Sequence, residues 1–156
     1  MANTIIKEVY SKEETYNFAL ELGEKVKAPC LICLDGDLGA GKTVFAKGLA
    51  KGLGVEDDIV SPTFVLFNVY EKGRLPLYHF DVYRIEEPEE MYEIGYEEYF
   101  FGTGVCLVEW ASLIEELIPN EAAHILIEKE PEKGEDYRRI VIKGFYTCIS
   151  SLNTNR

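Results

Sequence analysis

Basic side chains are scarce in this sequence of 156 residues: 16 lysines and arginines stand against 28 aspartates and glutamates, a formal charge of −12. Nucleic-acid binding draws its affinity from neutralised phosphates, so a chain this acidic is a poor stand-alone binder of RNA or DNA. Lys42, Lys47 and Lys51 lie close enough in sequence to form a local patch, but Lys42 belongs to a motif described below. No apolar run approaches the roughly 20 residues of a membrane helix. The opening stretch, Met1 to Lys12, is polar and of mixed charge, with no apolar segment of a secretory signal. A cytoplasmic protein that meets no membrane is the expectation.

Cysteine is also sparse, with four in the chain. Cys30 and Cys33 form a C-x-x-C inside the apolar run Cys30-Leu31-Ile32-Cys33-Leu34. That run reads as a strand, where positions three apart point to opposite faces. The two thiols are therefore badly placed to share a metal or to bond each other. No second C-x-x-C completes a zinc site. Buried, reduced thiols are expected.

What is present describes one soluble α/β domain spanning 1–156, with a frayed polar tail from Ser150. Hydrophobic residues make up 47% of the chain, enough for a single core. Ile5–Val9 reads as an edge strand. Ser11 is placed as an N-cap, with Glu13 and Glu14 in the first turn. Phe18, Leu22 and Val26 recur at helical spacing, giving a helix over Lys12–Lys25. Strands are predicted over Cys30–Asp35, Phe64–Tyr70, Leu75–Asp81, Val105–Glu109, His124–Glu128 and Arg139–Ile142. Lys72-Gly73 suggests a hairpin between the second and third of these. Helical segments are predicted over 42–53, in short pieces within 86–101, and over Ser112–Ile118 before Pro119. Interleaved helices and buried strands imply a three-layer domain with a mixed sheet.

Gly36-Asp37-Leu38-Gly39-Ala40-Gly41-Lys42-Thr43 satisfies G-x-x-x-x-G-K-[ST], between an apolar strand and a helical pattern. Glycines let the backbone curl so that successive amides face a phosphate, and the helix start adds partial positive charge. Lys42 supplies a full charge to the β- and γ-phosphates, and the Thr43 hydroxyl suits magnesium. Magnesium also needs an acid, commonly at a strand end. Glu109 after Val105-Cys106-Leu107-Val108 is one candidate, and Asp81 after Leu77-Tyr78-His79-Phe80 is another. The residues alone leave open which of them touches the metal. The guanine-reading N-K-x-D is absent, and no D-x-x-G begins at Asp81. Arginines are few: Arg74, Arg84, Arg138, Arg139 and Arg156. That weakens a metabolite-kinase reading, since such kinases usually carry an arginine-bearing lid.

The P-loop, Ser61-Pro62-Thr63-Phe64, His79-Phe80-Asp81-Val82-Tyr83-Arg84 and Val108-Glu109-Trp110 occur here in order. Together they resemble the TsaE family (YjeE or YdiB type), the small bacterial ATPases needed to make threonylcarbamoyladenosine in tRNA. The resemblance runs from about Ser11 to Arg138 and implies a P-loop NTPase fold. It implies ATP and Mg²⁺ as cofactors, and a weak ATPase that works with TsaD- and TsaB-like partners to reset their complex between turnovers. The tRNA would then be reached only through those partners. Thr63 and Asp81 would sense the γ-phosphate and metal, Glu109 would bind magnesium or position water, and Ser11 and Lys133 would border the adenine. Bland roles stand beside these: Ser11 as a helix cap, Thr63 as a turn residue, His79 as a hydrogen-bonded strand histidine, Trp110 as core. Two rivals remain, a small nucleoside or metabolite kinase and a non-catalytic ATP-gated interaction module.

Overall fold

The computed structural model describes residues 4–62, 65–144 and 148. Its centre is set by two strands with no polar interior residue, β2 (Cys30–Asp35) and β5 (Val105–Glu109). Such runs can be buried on both faces, so they pair in parallel in the middle of the sheet. The other strands are β1 (Thr4–Val9), β3 (Phe67–Tyr70), β4 (Leu77–Asp81), β6 (Ala123–Lys129) and β7 (Arg138–Lys143). All seven form one mixed sheet in the order β1-β7-β6-β2-β5-β4-β3. β4, β5, β2 and β6 run parallel, while β3, β7 and β1 are antiparallel to their neighbours.

Helices cover both faces. On one side Cys30, Ile32 and Leu34 of β2 and Leu107 of β5 pack under α1 (Lys12–Lys25) and α2 (Lys42–Gly52). On the other, Leu31, Cys33, Cys106 and Val108 pack under the short helices α3 (Glu90–Glu93) and α4 (Glu97–Phe100) and a 3₁₀ segment, Ala111–Leu117. The three-layer expectation is met. Among the described residues no helix is long and apolar enough to cross a membrane.

The α1 helix begins as its sequence dictates. Ser11 is extended and its Oγ accepts the Glu14 amide at 3.1 Å, while Glu14 Oε1 accepts the Tyr10 amide at 3.3 Å, a reciprocal cap. Phe18, Leu22 and Val26 are buried at their helical spacing. The far end is closed by a distant residue: Arg74 Nη2 donates to the carbonyls of Gly23 (2.7 Å), Glu24 (3.3 Å) and Val26 (3.0 Å). These carbonyls belong to the last turn of the helix and its C-cap residue, where intrahelical donors run out. Arg74→Ala is expected to lower stability by about 1.5–3 kcal/mol, the scale of hydrogen bonds to a charged group. Chemical denaturation measures it, and a loss below about 0.5 kcal/mol would mean that water replaces the cap.

Four local expectations are corrected. The strand predicted over Phe64–Tyr70 is confined to Phe67–Tyr70 within the described residues, and its return strand starts at Leu77, after Pro76, whose ring removes a ladder donor. The segment at Ser112–Ile118 is a 3₁₀ turn pair from Ala111 with a break at Ile114, too short and kinked for an α-helix. Cys30 and Cys33 do face opposite layers, but Cys30 is not a free thiol: it is bonded to Cys148, with Cα atoms 5.6 Å apart. Its partner lies 118 residues away in sequence, beyond any motif spacing. Cys33 and Cys106 are the free, buried cysteines among the described residues; burial pushes the Cys33 thiol up to about 12. The polar tail from Ser150 lies outside the described residues.

Candidate functional site

The parallel strands β4, β5 and β2 all end at one edge of the sheet, and the chain places its polar residues there. Asp81 closes β4 and Glu109 closes β5, directly opposite each other in register. Asp35 closes β2 and is followed at once by the glycine loop. In open α/β sheets this carboxyl edge is where ligands bind.

The loop has the backbone its sequence requires. Gly39 and Gly41 adopt φ of 79° and 108°, values that side chains disfavour. α2 starts directly after Gly41, and no side chain caps its first turn. A Cβ built on Gly41 would meet nothing within 4 Å, so the space in front of the helix start is open. A helix N-terminus with free amides and open space before it is an anion site. Thr43 is exposed beside it on the first turn of α2.

Lys42 is 7% exposed and folds back over the loop. Its Nζ donates to the carbonyls of Gly36 and, at 3.2 Å, Asp37, and sits 4.0 Å from the centre of the Trp110 ring. Burial lowers its pKa, opposed by the charges of Glu109, Asp35, Asp81 and Asp37. One ammonium is therefore shared by the loop and by both candidate metal acids. Trp110, expected in the core, is partly buried against it, and it also roofs Lys42 and packs on Tyr83 at 4.7 Å between ring centres. Its φ of 64° is the one left-handed value at a non-glycine among the described residues, and it turns the chain sharply after Glu109.

The two acids stand in different environments. Glu109 is 3% exposed, and its Oε2 accepts a 2.6 Å hydrogen bond from Nε2 of His79, itself 1% exposed. The other ring nitrogen of His79 has no hydrogen-bond partner among the described residues. The histidine thus spends its single bond on holding one oxygen of Glu109. Asp81 is half-buried, and its Oδ1 accepts the Tyr83 amide at 3.1 Å. Burial raises its pKa above 3.8; Glu109 raises it further, while the Tyr83 amide, His79 and Lys42 lower it. Among the described residues no three His, Cys, Asp or Glu side chains gather closely enough to hold a metal alone. A Thr43 hydroxyl and one or two strand-end acids fit magnesium, which keeps waters and takes its remaining ligands from phosphate.

The raised Asp81 has a consequence for stability. A group whose folded value lies above its unfolded value helps the fold below the unfolded value, and the help is lost as pH rises through the folded one. At neutral pH the ionised Asp81 is thus a burden on the ligand-free protein. Asp81→Asn, which keeps the acceptor for Tyr83, is expected to melt higher than the native chain at pH 7, with the gain vanishing below about pH 4. Melting curves at both pH values test it; no gain at pH 7 contradicts the assignment.

Of the remaining predicted residues, Ser11 lies at the start of α1. The next turn, Lys12 and Thr15, joins Gly39–Gly41, Val44, Asp136 and Arg138 in lining a notch of about 40 Å³ on the outer flank of the loop. The Ser11 hydroxyl is used by the helix cap. Lys133 pairs with Glu130 at 3.0 Å and Glu8 at 3.7 Å and lies over the Tyr137 ring. Thr63 lies outside the described residues. A groove of about 750 Å³ lies beside Asp81 rather than over the loop and is bordered by Ser61, Pro62, Tyr83 and Arg84. Sequence reasoning missed Arg138 and Lys129, which bind the loop from distant strands; only the fold brings them there.

Comparison with known proteins gives the family. The family model described as "Threonylcarbamoyl adenosine biosynthesis protein TsaE" matches residues 9–140. The tRNA threonylcarbamoyladenosine biosynthesis protein TsaE of Bacillus subtilis (strain 168) is 49% identical, over 82% of this chain and 78% of its own. That of Nostoc sp. (strain PCC 7120) is 48% identical, over 90% and 86%. The crystal structure of Bacillus subtilis YdiB superposes with a TM-score of 0.75 at 42% identity, covering 92% of this chain and 86% of that one. With a family model over most of its length and close relatives on both counts, the chain belongs to the TsaE family.

Proposed function

We propose that this protein is a magnesium-dependent ATPase that supports threonylcarbamoyladenosine modification of tRNA by acting on TsaD- and TsaB-type partners. The observation that carries the reading is the shared position of Lys42. Its ammonium is held on the loop carbonyls beside an open helix start, at the sheet edge where Asp81 and Glu109 end their strands and where a γ-phosphate would have to be held and attacked. The names of the relatives supply the pathway.

Each residue has a distinct task. The amides of Gly39, Gly41, Lys42 and Thr43 hold phosphate oxygens. Lys42 leaves the Gly36 and Asp37 carbonyls and takes the β- and γ-phosphate oxygens, exchanging neutral acceptors for charged ones. Thr43 and Asp81 would hold magnesium, and bound magnesium would offset charge on the β- and γ-oxygens. Glu109, fixed by His79, orients the attacking water with its second oxygen. Ser61 and Pro62 border the groove beside Asp81, a position from which the phosphate state can be passed to a partner. The net charge of −12 suits a subunit that leaves tRNA to its partners.

The test is phosphate release from ATP, alone and with TsaD- and TsaB-type proteins and tRNA. Free phosphate, increased by the partners, is the expected result. Label appearing on a small-molecule acceptor would indicate a kinase. Full tRNA modification by a hydrolysis-dead variant would indicate an ATP-gated interaction module.

A further inference from the structure

The amides of the phosphate loop can face a ligand only if its carbonyls are held elsewhere. All five consecutive carbonyls from Gly36 to Ala40 accept hydrogen bonds from cations. Lys42 takes Gly36 and Asp37; Lys129 Nζ takes Leu38 at 3.2 Å; Arg138 takes Gly39 through Nη2 at 3.2 Å and Ala40 through Nε at 2.7 Å. The Lys42 bonds must break when that side chain turns to phosphate. The other three have no such conflict.

Lys129 ends β6 and Arg138 begins β7, and the two are partners in the antiparallel register. Like charges directly opposite on a sheet repel, so the pair carries a cost unless both find acceptors. The loop carbonyls are those acceptors. Arg138 is itself fixed, since Nη1 donates to the carbonyls of Glu135 at 2.9 Å and Tyr137 at 2.7 Å. Its planar fork therefore spans two backbones at once, which a lysine ammonium cannot reproduce. Lys129 lies against Gly39, where a Cβ would come within 3.1 Å of its Nζ.

We propose that Arg138 and Lys129 are positioning residues for nucleotide, a two-cation bracket that turns the outer carbonyls of the phosphate loop away and keeps its amides aimed at the ligand. The inference rests on the reading of this loop as a nucleotide site. Because the loop amides serve phosphates common to ADP and ATP, the bracket acts on the affinity of both alike. The water-orienting end of the site lies across the sheet at Glu109, so the catalytic step is affected much less.

Calorimetric titration with ADP and with ATP, each with magnesium, on the native chain and on Arg138→Met, Arg138→Lys and Lys129→Met tests it. Arg138→Met is expected to weaken both nucleotides by the same factor, roughly tenfold to a hundredfold, the scale of lost charge-assisted hydrogen bonds. Arg138→Lys should stand closer to Arg138→Met than to the native chain, Lys129→Met should show a smaller loss, and turnover at saturating ATP should fall far less than affinity. Native affinity in Arg138→Met overturns the bracket, and so does native affinity in Arg138→Lys, which would reduce the effect to charge. Should Arg138→Met fail to fold, Arg138→Lys and Lys129→Met decide by the same criteria. A native chain that binds neither nucleotide refutes the nucleotide reading itself, a result distinct from a variant that matches a binding native chain.

Discussion

Glu109→Gln is expected to bind ATP as tightly as the native chain and to release phosphate at least about a hundredfold more slowly, the scale of a lost catalytic carboxylate. Glutamine is chosen over alanine for a structural reason. Glu109 is buried against His79, and removing one partner of a buried pair typically costs about 3–5 kcal/mol, which would mix unfolding with catalysis. Glutamine keeps the volume and an oxygen that can accept the Nε2–H of His79. What it loses is the negative charge that would orient and polarise a water. ATP affinity should persist because the loop amides and Lys42 are untouched. Unchanged turnover would remove Glu109 from the mechanism and leave Asp81 as the acid that matters.

The largest effect on folding is expected at Gly52, which no sequence motif singles out. In α2 a Cβ at Gly52 would lie 2.1 Å from the carbonyl oxygen of Leu20 in α1, and one at Gly48 would lie 2.4 Å from that of Tyr16. On α1, a Cβ at Gly23 would lie 2.3 Å from the carbonyl oxygen of Leu49. The two helices therefore pack backbone to backbone, and neither rigid partner can yield as a flexible side chain would. Gly52→Val is expected to cost more than about 4 kcal/mol, beyond ordinary overpacking, and to leave little folded protein. Lys47→Ala, on the exposed side of α2, should change stability by less than about 0.5 kcal/mol. Soluble expression and a denaturant midpoint decide it; a Gly52→Val protein of native stability would mean the helices can separate without loss. The packing bears on function because α2 carries Lys42 and Thr43 on its first turn, and α1 holds that helix in place.

These sites show which parts of the molecule could be read in advance. The phosphate loop was legible because its chemistry is local: eight successive residues set the turn, the helix start and the lysine. β2 and β5 were legible because uninterrupted apolar runs have few alternatives to a sheet centre. Asp81 and Glu109 were recognisable as strand-end acids, but their different surroundings were not. These depend on His79 lying beside Glu109 across two adjacent strands, a register that spacing cannot reveal. Glycines inside a helix, such as Gly48 and Gly52, lower its intrinsic stability, and only the opposing backbone gives them a purpose. Arg138, Lys129, Arg74 and Cys148 all act on segments 48 to 118 residues away, where the fold alone makes the contact.

In the proposed function the loop from Gly36 to Thr43 holds the phosphates of an adenine nucleotide. Isothermal titration of the folded protein with a non-hydrolysable ATP analogue and magnesium decides this. Saturable binding at one site, lost in Lys42→Ala, is the predicted result. Absence of heat with both adenine and guanine triphosphates, from protein with a native melting transition, would contradict it.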